Sequence, residues 1–307
     1  MKVSIIGSGV VGKATGLALL MNGHDVLFYD IDRDAYRNNL PAFCKGTSSW
    51  IKAYQHGEIL MICVPTPSGP MGACNLSVFE KVIDQFAEMN SDYGYKTLVQ
   101  KSTCPPGTAM WAISELVDAC GISRDDFGYL VCPEFLNAGA PLQDTVVPRK
   151  LIIGFSTPEE ASDAGRLYQW IPAYQQHYMS YAEAEFAKYA NNLFHALLIS
   201  MWNELQLVSE RCAATKGVTV DMDRIAKLTA LEPGLESVYR VFGKAWGGAC
   251  LPKDTRAFRA FAGELGVTTS ITNALINVNE TMRAEYGDET RHWDELHGKQ
   301  SDGGSGT

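Results

Sequence analysis

The chain has 307 residues, enough for two domains with substantial hydrophobic cores. Its 46% hydrophobic and 20% charged residues are typical of a globular protein, and its net charge of −9 disfavours general nucleic-acid binding, which needs basic residues to neutralise phosphates. No stretch is apolar for long enough to span a membrane, and the first residues lack the pattern of a secretory signal. Eight scattered cysteines without a C-x-x-C pair predict reduced thiols, no metal site and a cytoplasmic location.

The first half of the chain alternates short apolar runs with amphipathic stretches. The apolar runs predict buried strands, and the amphipathic stretches predict helices, for example over residues 12–21 and 76–89. Strands that alternate with helices are typical of a doubly wound parallel sheet covered by helices on both faces. The predicted strands cover residues 3–6, 26–29, 59–64, 97–100, 129–132 and 151–153.

The pattern becomes helical near residue 181. Residues 182–211 contain no proline or glycine and predict one helix of roughly 45 Å, followed by helices at 221–231, 255–265 and 269–286. We therefore expect a Rossmann-type domain over residues 1–181, an all-helical central domain over 182–290 and a disordered tail over 291–307. Apolar side chains on more than one face of the long helix predict a homodimer built on it. These side chains are Leu193, Phe194, Leu197, Leu198, Met201 and Trp202.

The first predicted strand runs directly into a glycine-rich turn, Gly7-Ser8-Gly9-Val10-Val11-Gly12. Gly7 permits the tight turn, Gly9 lets the backbone approach a pyrophosphate, and Gly12 allows the helix to pack closely on the strand. The helix N-terminus then faces the phosphates with exposed N–H groups. Asp30 ends the second strand, where a carboxylate can hold both ribose hydroxyls, so NAD is favoured over NADP. Arg33 leaves NADP open, since an arginine can accommodate a 2′-phosphate.

Two groups in the helical half could carry chemistry. Cys250 follows a Gly-Gly pair, with Lys253 and Asp254 within one short turn, which predicts either a nucleophile in a polar setting or an inert buried thiol. Lys188 and Asn192 lie four residues apart on one face of a helix. Such a pair could hold a developing oxyanion, or it could be an ordinary solvated pair.

Two glutamates, Glu134 and Glu185, also have interpretations that stay open. Glu134 and Thr103 follow predicted strands at the carboxyl edge of the sheet, where ligands bind in open α/β folds. From spacing alone, Glu134 is expected to be a solvated loop carboxylate. Glu185 and Lys188 could form a weak surface ion pair.

Several segments resemble motifs of the UDP-glucose/GDP-mannose dehydrogenase family, and they occur in the order of that family. In chain order they are Ile62-Cys63-Val64-Pro65-Thr66-Pro67, Lys101-Ser102-Thr103-Cys104-Pro105-Pro106-Gly107-Thr108, Pro133-Glu134-Phe135-Leu136, the helical set of Glu185, Lys188-Tyr189-Ala190, Asn192 and Asn203-Glu204, and Gly247-Gly248-Ala249-Cys250-Leu251-Pro252-Lys253-Asp254. The resemblance extends from Met1 to about Glu280.

The resemblance implies NAD-dependent oxidation of the primary alcohol of a nucleotide sugar to a carboxylate. Cys250 would form a thiohemiacetal and then a thioester, and Lys188 with Asn192 would stabilise the oxyanion. Asp254 and Thr103 would position a water molecule or base, and Glu134 would assist thioester hydrolysis. The remaining site residues that it implies are Pro65, Thr66, Ser102 and Thr103 for the cofactor, and Phe135, Leu136, Lys188, Asn192, Gly247 and Gly248 for the substrate.

Three departures from the family pattern stand out. Ala138 occupies the position of a second glutamate, and Leu198 occupies that of a cation often found ten residues after the helical lysine. A third domain, which usually covers the nucleotide, is not expected in this sequence. Two alternatives therefore stay open: a two-electron dehydrogenase of the β-hydroxyacid or 6-phosphogluconate type, and a truncated relative that binds NAD and a nucleotide sugar without catalysis.

Overall fold

The computed structural model describes residues 1–37, 40–137, 139–231, 245–248 and 250–287, without the side chains of residues 90–93. The chain separates into two compact units. The first contains Met1–Gly69 and Cys74–Lys188, and the second contains Pro70–Ala73 and the chain from Tyr189 onward. The predicted domain boundaries stay a prediction, and the predicted tail over 291–307 lies outside the described residues.

The first unit is built on an eight-stranded sheet with the order β3-β2-β1-β4-β5-β6-β7-β8. Its first six strands have the order that is typical of dinucleotide-binding folds, which confirms the predicted Rossmann-type class. Every described pair is parallel except β6 with β7, which is antiparallel with Val131 opposite Gly154. The strands are β1 Lys2–Ile6, β2 Asp25–Tyr29, β3 Lys45–Thr47, β4 Ile59–Ile62, β5 Lys96–Gln100, β6 Phe127–Val131, β7 Leu151–Gly154 and β8 Gln176–Met179.

The continuous apolar strands are explained by burial on both faces of the sheet. Leu60 and Ile62 belong to one hydrophobic cluster, whereas Ile59 and Met61 belong to the other. Successive side chains of a strand point to opposite faces, so a sheet covered on both sides needs apolar residues at every position. The helices that the chain forms around this sheet are α1 Val10–Met21, α2 Arg33–Arg37, α3 Trp50–His56, α4 Ser77–Tyr93, α5 Thr108–Ser114, α6 Pro141–Val146 and α7 Pro158–Leu167.

The described part of the second unit is helical, as predicted. Its helices are α8 Tyr181–Lys216, which begins in the first unit, α9 Met222–Thr229, α10 Leu251–Glu264 and α11 Ser270–Tyr286. Ala196 and Ile199 of α8 pack with Trp246, Leu251 and Leu275 in a small core, and Leu198 packs against the same cluster. Within the described residues, no helix has the length and apolar composition needed to cross a membrane.

Candidate active site

The glycine-rich turn after β1 has the geometry that a dinucleotide requires. Gly7 has a φ of +99°, and a Cβ there would lie 2.7 Å from the carbonyl oxygen of Cys63. A Cβ on Gly12 would lie 1.9 Å from the carbonyl oxygen of Gly7, so α1 reaches the strand only because residue 12 is glycine. Around Gly9, no described atom lies within 4 Å of the Cβ position. The backbone is therefore open to close approach at the start of α1, beside the exposed Val10.

Asp30 joins this turn to the end of β2. Its Oδ2 accepts a hydrogen bond from the Ser8 N–H at 2.7 Å, and its Oδ1 accepts one from the Asp32 N–H at 3.0 Å. A carboxylate keeps further lone pairs for ribose hydroxyls, so the residues present fit an adenosine ribose. Arg33 is exposed and donates from Nε to the Ser48 hydroxyl at 3.3 Å.

The loops after β4 and β5 are joined by the hydroxyl groups that were predicted to contact the cofactor. Thr66 donates to the carbonyl oxygen of Thr103 at 2.8 Å, and Ser102 donates to the carbonyl oxygen of Val64 at 2.7 Å. Pro65 lies between Val64 and Thr66 in the first of these loops. These bonds fix both loops at the carboxyl edge of the sheet, where open α/β folds bind ligands.

Glu134 and Lys188 form a buried ion pair in the first unit. Lys188 Nζ lies 2.8 Å from Glu134 Oε1, and the two residues are 3% and 8% exposed. Burial alone raises the pKa of Glu134, but the charge and hydrogen bond of Lys188 and the Leu136 N–H hold it below the ordinary value. The prediction of a solvated loop carboxylate from spacing alone is therefore wrong, because Glu134 is buried and paired with a lysine.

Glu185 has a different role from its expected surface pairing with Lys188. Its carboxylate is buried and accepts hydrogen bonds from the backbone N–H groups of Gly107 at 2.7 Å and Ala109 at 2.8 Å, and from Gln100 at 3.0 Å. Burial raises its pKa. The surface-pair interpretation is wrong, since both side chains are buried and Glu185 holds the loop that precedes α5.

In the second unit, Cys250 lies immediately before α10 and is exposed. By contrast, Cys132 is fully buried, and burial raises the pKa of its thiol to about 11. A helix N-terminus favours negative charge through its unpaired N–H groups. Gly248, with a φ of +75°, makes the preceding turn possible. The inert buried-thiol interpretation of Cys250 is therefore wrong, while a role as nucleophile stays a prediction.

Asp254 of α10 is 1% exposed and organises its neighbours. Its Oδ2 accepts a hydrogen bond from Asn192 Nδ2 at 2.5 Å, and its Oδ1 pairs with Lys253. Asn192 is itself buried, so a solvated surface position for it is excluded. Buried polar groups of this kind are held in one geometry by their hydrogen bonds.

Two lysines that the sequence did not single out accompany the pair of Glu134 and Lys188. Lys150 Nζ lies 4.3 Å from the ring centroid of Phe135, and Lys188 Nζ lies 5.5 Å from the same centroid. Lys101 is buried and donates to the carbonyl oxygen of Cys132 at 3.2 Å. Lys101 lies inside a quoted motif, but Lys150 had no sequence signal. Ala138 and Ala249 lie outside the described residues.

The strand order and the glycine-rich turn define a dinucleotide-binding fold. The NAD binding domain model of the UDP-glucose/GDP-mannose dehydrogenase family matches residues 34–172, and the central domain model of that family matches residues 182–281. A putative UDP-glucose 6-dehydrogenase of Bacillus subtilis is 30% identical over 305 residues, which cover 93% of this chain and 69% of the relative.

Two further comparisons agree with these matches. A GDP-mannose 6-dehydrogenase of Pseudomonas syringae pv. tomato is 30% identical over 311 residues, covering 92% of this chain and 68% of the relative. The solved structure of a UDP-glucose dehydrogenase from the archaeon Pyrobaculum islandicum has a TM-score of 0.83 at 29% identity, covering 92% of this chain and 69% of that one. The chain belongs to the UDP-glucose/GDP-mannose dehydrogenase family, and its cofactor is NAD.

Proposed function

We propose that the chain oxidises the primary alcohol of a nucleotide sugar to a carboxylate, in two oxidations that use two NAD per substrate. The observation that carries this proposal is the start of α10, where Cys250 is exposed and Asp254, one turn later, is buried and bonded to Asn192. A two-electron alcohol dehydrogenase has no need of such a cysteine. The names of the relatives in both B. subtilis and P. syringae support a nucleotide sugar as substrate.

Cys250 is the proposed covalent nucleophile. NAD, when bound, would supply the hydride acceptor for each of the two oxidations. Between them, the sulfur of Cys250 adds to the aldehyde carbon and the carbonyl oxygen takes a proton, which gives a thiohemiacetal. The second oxidation leaves a thioester, and attack by water breaks the carbon–sulfur bond, releasing the acid and the thiol.

The polar groups around the sheet edge and α10 would serve the remaining steps. Lys188 and Asn192 stabilise the oxyanion, because a cation and an amide donor both favour negative charge on oxygen. Asp254 and Thr103 position the water molecule or base. Glu134, kept ionised by its lowered pKa, orients the water that hydrolyses the thioester. Phe135, Leu136, Gly247 and Gly248 contact the substrate.

A panel of nucleotide sugars, including UDP-glucose and GDP-mannose, tests this function by the number of NADH molecules formed per substrate consumed. We expect two NADH and a carboxylate from the wild type, and no acid from Cys250→Ser. Cys120→Ser is the matched control, because Cys120 is also exposed but lies between α5 and β6. One NADH per substrate, with Cys250→Ser still active, would instead favour a two-electron dehydrogenase. NAD binding without turnover of any sugar would favour a non-catalytic binding protein.

We also propose a homodimer that buries one face of α8. Phe194, Met201 and Val208 are exposed at intervals of seven residues, and Leu205 is exposed between the last two. Such spacing forms a continuous apolar stripe, which a partner helix can cover. Three of the other predicted interface residues have intramolecular partners: Trp202 packs with Met222 and Ala226, and Leu197 and Leu198 pack against the small core of the second unit.

Sedimentation tests the dimer. The wild type should sediment above the 33.6 kDa of one chain at micromolar concentration, and Met201→Lys should reduce it to a monomer. Met110→Lys on α5 is the matched control, because Met110 is 57% exposed and Met201 is 52% exposed. A wild type that sediments only as a monomer would rule out this interface.

A further inference from the structure

Two hydrogen bonds hold the backbone just before Cys250. Oδ1 of Asn279, in α11, accepts a hydrogen bond from the Trp246 N–H at 2.7 Å, and Nδ2 of Asn279 donates one to the Trp246 carbonyl oxygen at 3.0 Å. The side-chain amide thus pairs with both polar groups of one residue, as a neighbouring strand would. Trp246 precedes the cysteine by four residues, and Gly247 and Gly248 between them have no side chain with which to pack.

The side chain of Trp246 is anchored as well. Its indole N–H donates to the Ser200 hydroxyl of α8 at 2.9 Å, and its ring packs in the small core of the second unit. Leu251, immediately after the cysteine, packs in the same core, and the Cys250 carbonyl oxygen accepts the Asp254 N–H at 2.8 Å as α10 begins. Cys250 therefore lies between two fixed points of the chain, one held by α11 and α8 and the other by the start of α10.

Asn279 is a buried amide on a mainly apolar face of α11. It is 4% exposed. Its neighbours on that buried face are Thr272, Leu275, Ile276 and Met282. Burial of an amide opposes folding unless its hydrogen bonds are made, and an aliphatic side chain there would remove two bonds from the Trp246 backbone. Asparagine offers a donor and an acceptor on one short planar group, which the N–H and C=O of one residue require.

We infer that Asn279 is a positioning residue for Cys250: by fixing the backbone of Trp246, it sets where the sulfur lies at the start of α10. This inference rests on the proposed function, in which that sulfur adds to the aldehyde carbon. Such a step is sensitive to geometry, since a displacement of about 1 Å can slow it roughly a hundredfold. In this role Asn279 acts through the backbone and is not itself a catalytic residue.

Single-turnover kinetics test this role, with enzyme and NAD in excess over the nucleotide sugar. The first oxidation converts the alcohol to the aldehyde without the thiol, whereas the second requires the thiohemiacetal. Asn279→Leu keeps a side chain of similar size and removes both hydrogen bonds. We expect it to form the first NADH within about twofold of the wild-type rate and the second roughly tenfold to a hundredfold more slowly.

Asn279→Asp is a conservative variant whose hydrogen bonding changes with pH. A protonated carboxyl has one donor and one acceptor, like the amide, whereas a carboxylate has acceptors only and would face the Trp246 carbonyl oxygen. We compare the ratio of the second oxidation rate to the first with the wild-type ratio at each pH. The ratio for Asn279→Asp should approach that of the wild type at low pH and fall as pH rises, while that for Asn279→Leu should stay low throughout.

Met282→Ala is the matched control for lost stability. Met282 is fully buried on the same face of α11, three residues after Asn279. Its truncation should lower the melting temperature by an amount similar to that of Asn279→Leu, because it leaves a cavity, but the bonds to Trp246 remain. Both oxidation rates of Met282→Ala should therefore stay within about twofold of the wild type.

A second readout does not depend on turnover. Iodoacetamide alkylates thiolates, and peptide mass spectrometry reports the rate at Cys250 separately from that at the exposed Cys120. The N-terminal end of α10 favours negative charge, so loss of the sulfur from its place there should make alkylation of Cys250 at neutral pH roughly two- to fivefold slower in Asn279→Leu. Alkylation of Cys120 should not change. An unchanged rate at Cys250 would overturn the inference, whatever the substrate.

The outcomes separate this inference from the proposed function. Equal slowing of the second oxidation by Met282→Ala and Asn279→Leu, or a wild-type ratio of the two rates in Asn279→Leu, would overturn the role of Asn279 alone. A wild type that forms one NADH per substrate would overturn the proposed function and this inference with it. If Asn279→Leu does not fold, Asn279→Asp decides, and a rate ratio that does not change with pH would overturn the inference.

Discussion

Two of the buried glutamates in the first unit each pair with a cation but differ in their surroundings. Glu160 and Glu134 are both paired with a cation, and both have a lowered pKa despite burial. Around Glu160, donors to the two oxygens are plentiful, and Arg124 is the ion-pair partner. Around Glu134, Lys188 is the ion-pair partner, the Leu136 N–H is a donor, and the charge of Lys101 also contributes.

The five donors to Glu160 tie separate parts of the fold together. They are the Arg124 guanidinium, the Tyr181 hydroxyl and the backbone N–H groups of Tyr129, Ser156 and Thr157. A carboxylate with this many donors has little capacity left for a ligand. Burial and a charged partner therefore do not by themselves identify a functional carboxylate.

The largest expected effect comes from removing the charge of Glu160. Glu160→Gln should lower the free energy of unfolding by about 4 kcal/mol, because it breaks a buried ion pair and turns one acceptor oxygen into a donor. Thermal unfolding measures this loss. The control is Glu159→Gln, one residue earlier and exposed, which should have almost no effect. Equal effects of the two variants would contradict a structural role for Glu160.

The pH dependence of stability sharpens this prediction. Although burial raises the pKa of Glu160, its hydrogen bonds hold that pKa below the ordinary 4.5 in the folded chain. A lowered folded-state pKa stabilises the fold above about pH 4.5, and this stabilisation is lost as pH falls through the folded-state value. Acid unfolding of Glu160→Gln should therefore show a weaker pH dependence than that of the wild type.

Removal of the Glu134 charge should have a smaller, salt-dependent effect. Glu134→Gln removes the carboxylate that pairs with Lys188, and we expect a loss of about 2–3 kcal/mol at low ionic strength. Added anions should restore part of this stability, since at about 1 M salt the screening length falls to about 3 Å. Denaturant unfolding at low and high salt measures the difference. If Glu160→Gln recovers with salt to the same extent, the contrast between the two sites is wrong.

Asp30 is more exposed than Glu134 and Glu160, and its carboxylate accepts hydrogen bonds from two backbone N–H groups. Asp30→Ala should weaken NAD binding by roughly 1–3 kcal/mol, the range of a lost charged hydrogen bond. Calorimetry with NAD and NADP measures it, and Asp32→Ala, at an exposed position two residues later, is the control. A wild type that prefers NADP would show that Asp30 does not hold the ribose hydroxyls.

The smallest effect is expected at His24, whose ring is buried and packs edge-on against Trp170. Burial lowers its pKa below 6.5, so the folded chain keeps the ring neutral while the unfolded chain takes up a proton. The contribution of His24 to stability is therefore present above pH 6.5 and lost as pH falls through that value. His24→Phe should reduce the slope of stability against pH there, and His177→Phe, at an exposed position, should not.

The sequence predicts the inner strands of the sheet well and misses its edges. Strands buried on both faces need continuous apolar runs, and such runs are easily recognised. β3 and β8 lie at the two edges of the sheet, and their sequences, KGT and QHYM, are short and partly exposed. Neither offers an apolar run. The reversed direction of β7 has no signature in a run of four apolar residues either.

The same limit applies to the candidate site. The ordered motifs are sufficient to predict Glu134, Lys188 and Cys250 as site residues, because each belongs to a recognisable segment. The partners of these residues depend on which strands are neighbours, and this information is not local. Lys150 becomes visible only once β7 is known to run against β6, and the role of Glu185 only once α8 is placed beside the loop before α5.

The first turns of α8 also determine when the first unit can finish folding. Tyr181, Glu185 and Lys188 bond to partners that precede them by 21 to 85 residues, in α7, at the end of β5 and in the loop after β6. During synthesis, the strands can pair before these side chains exist, but the loops that end them keep unsatisfied buried groups until then. Folding of the first unit can therefore be completed only after the chain has been synthesised through residue 188. A nascent chain that stalls before this point would expose the unsatisfied loops to chaperones and proteases.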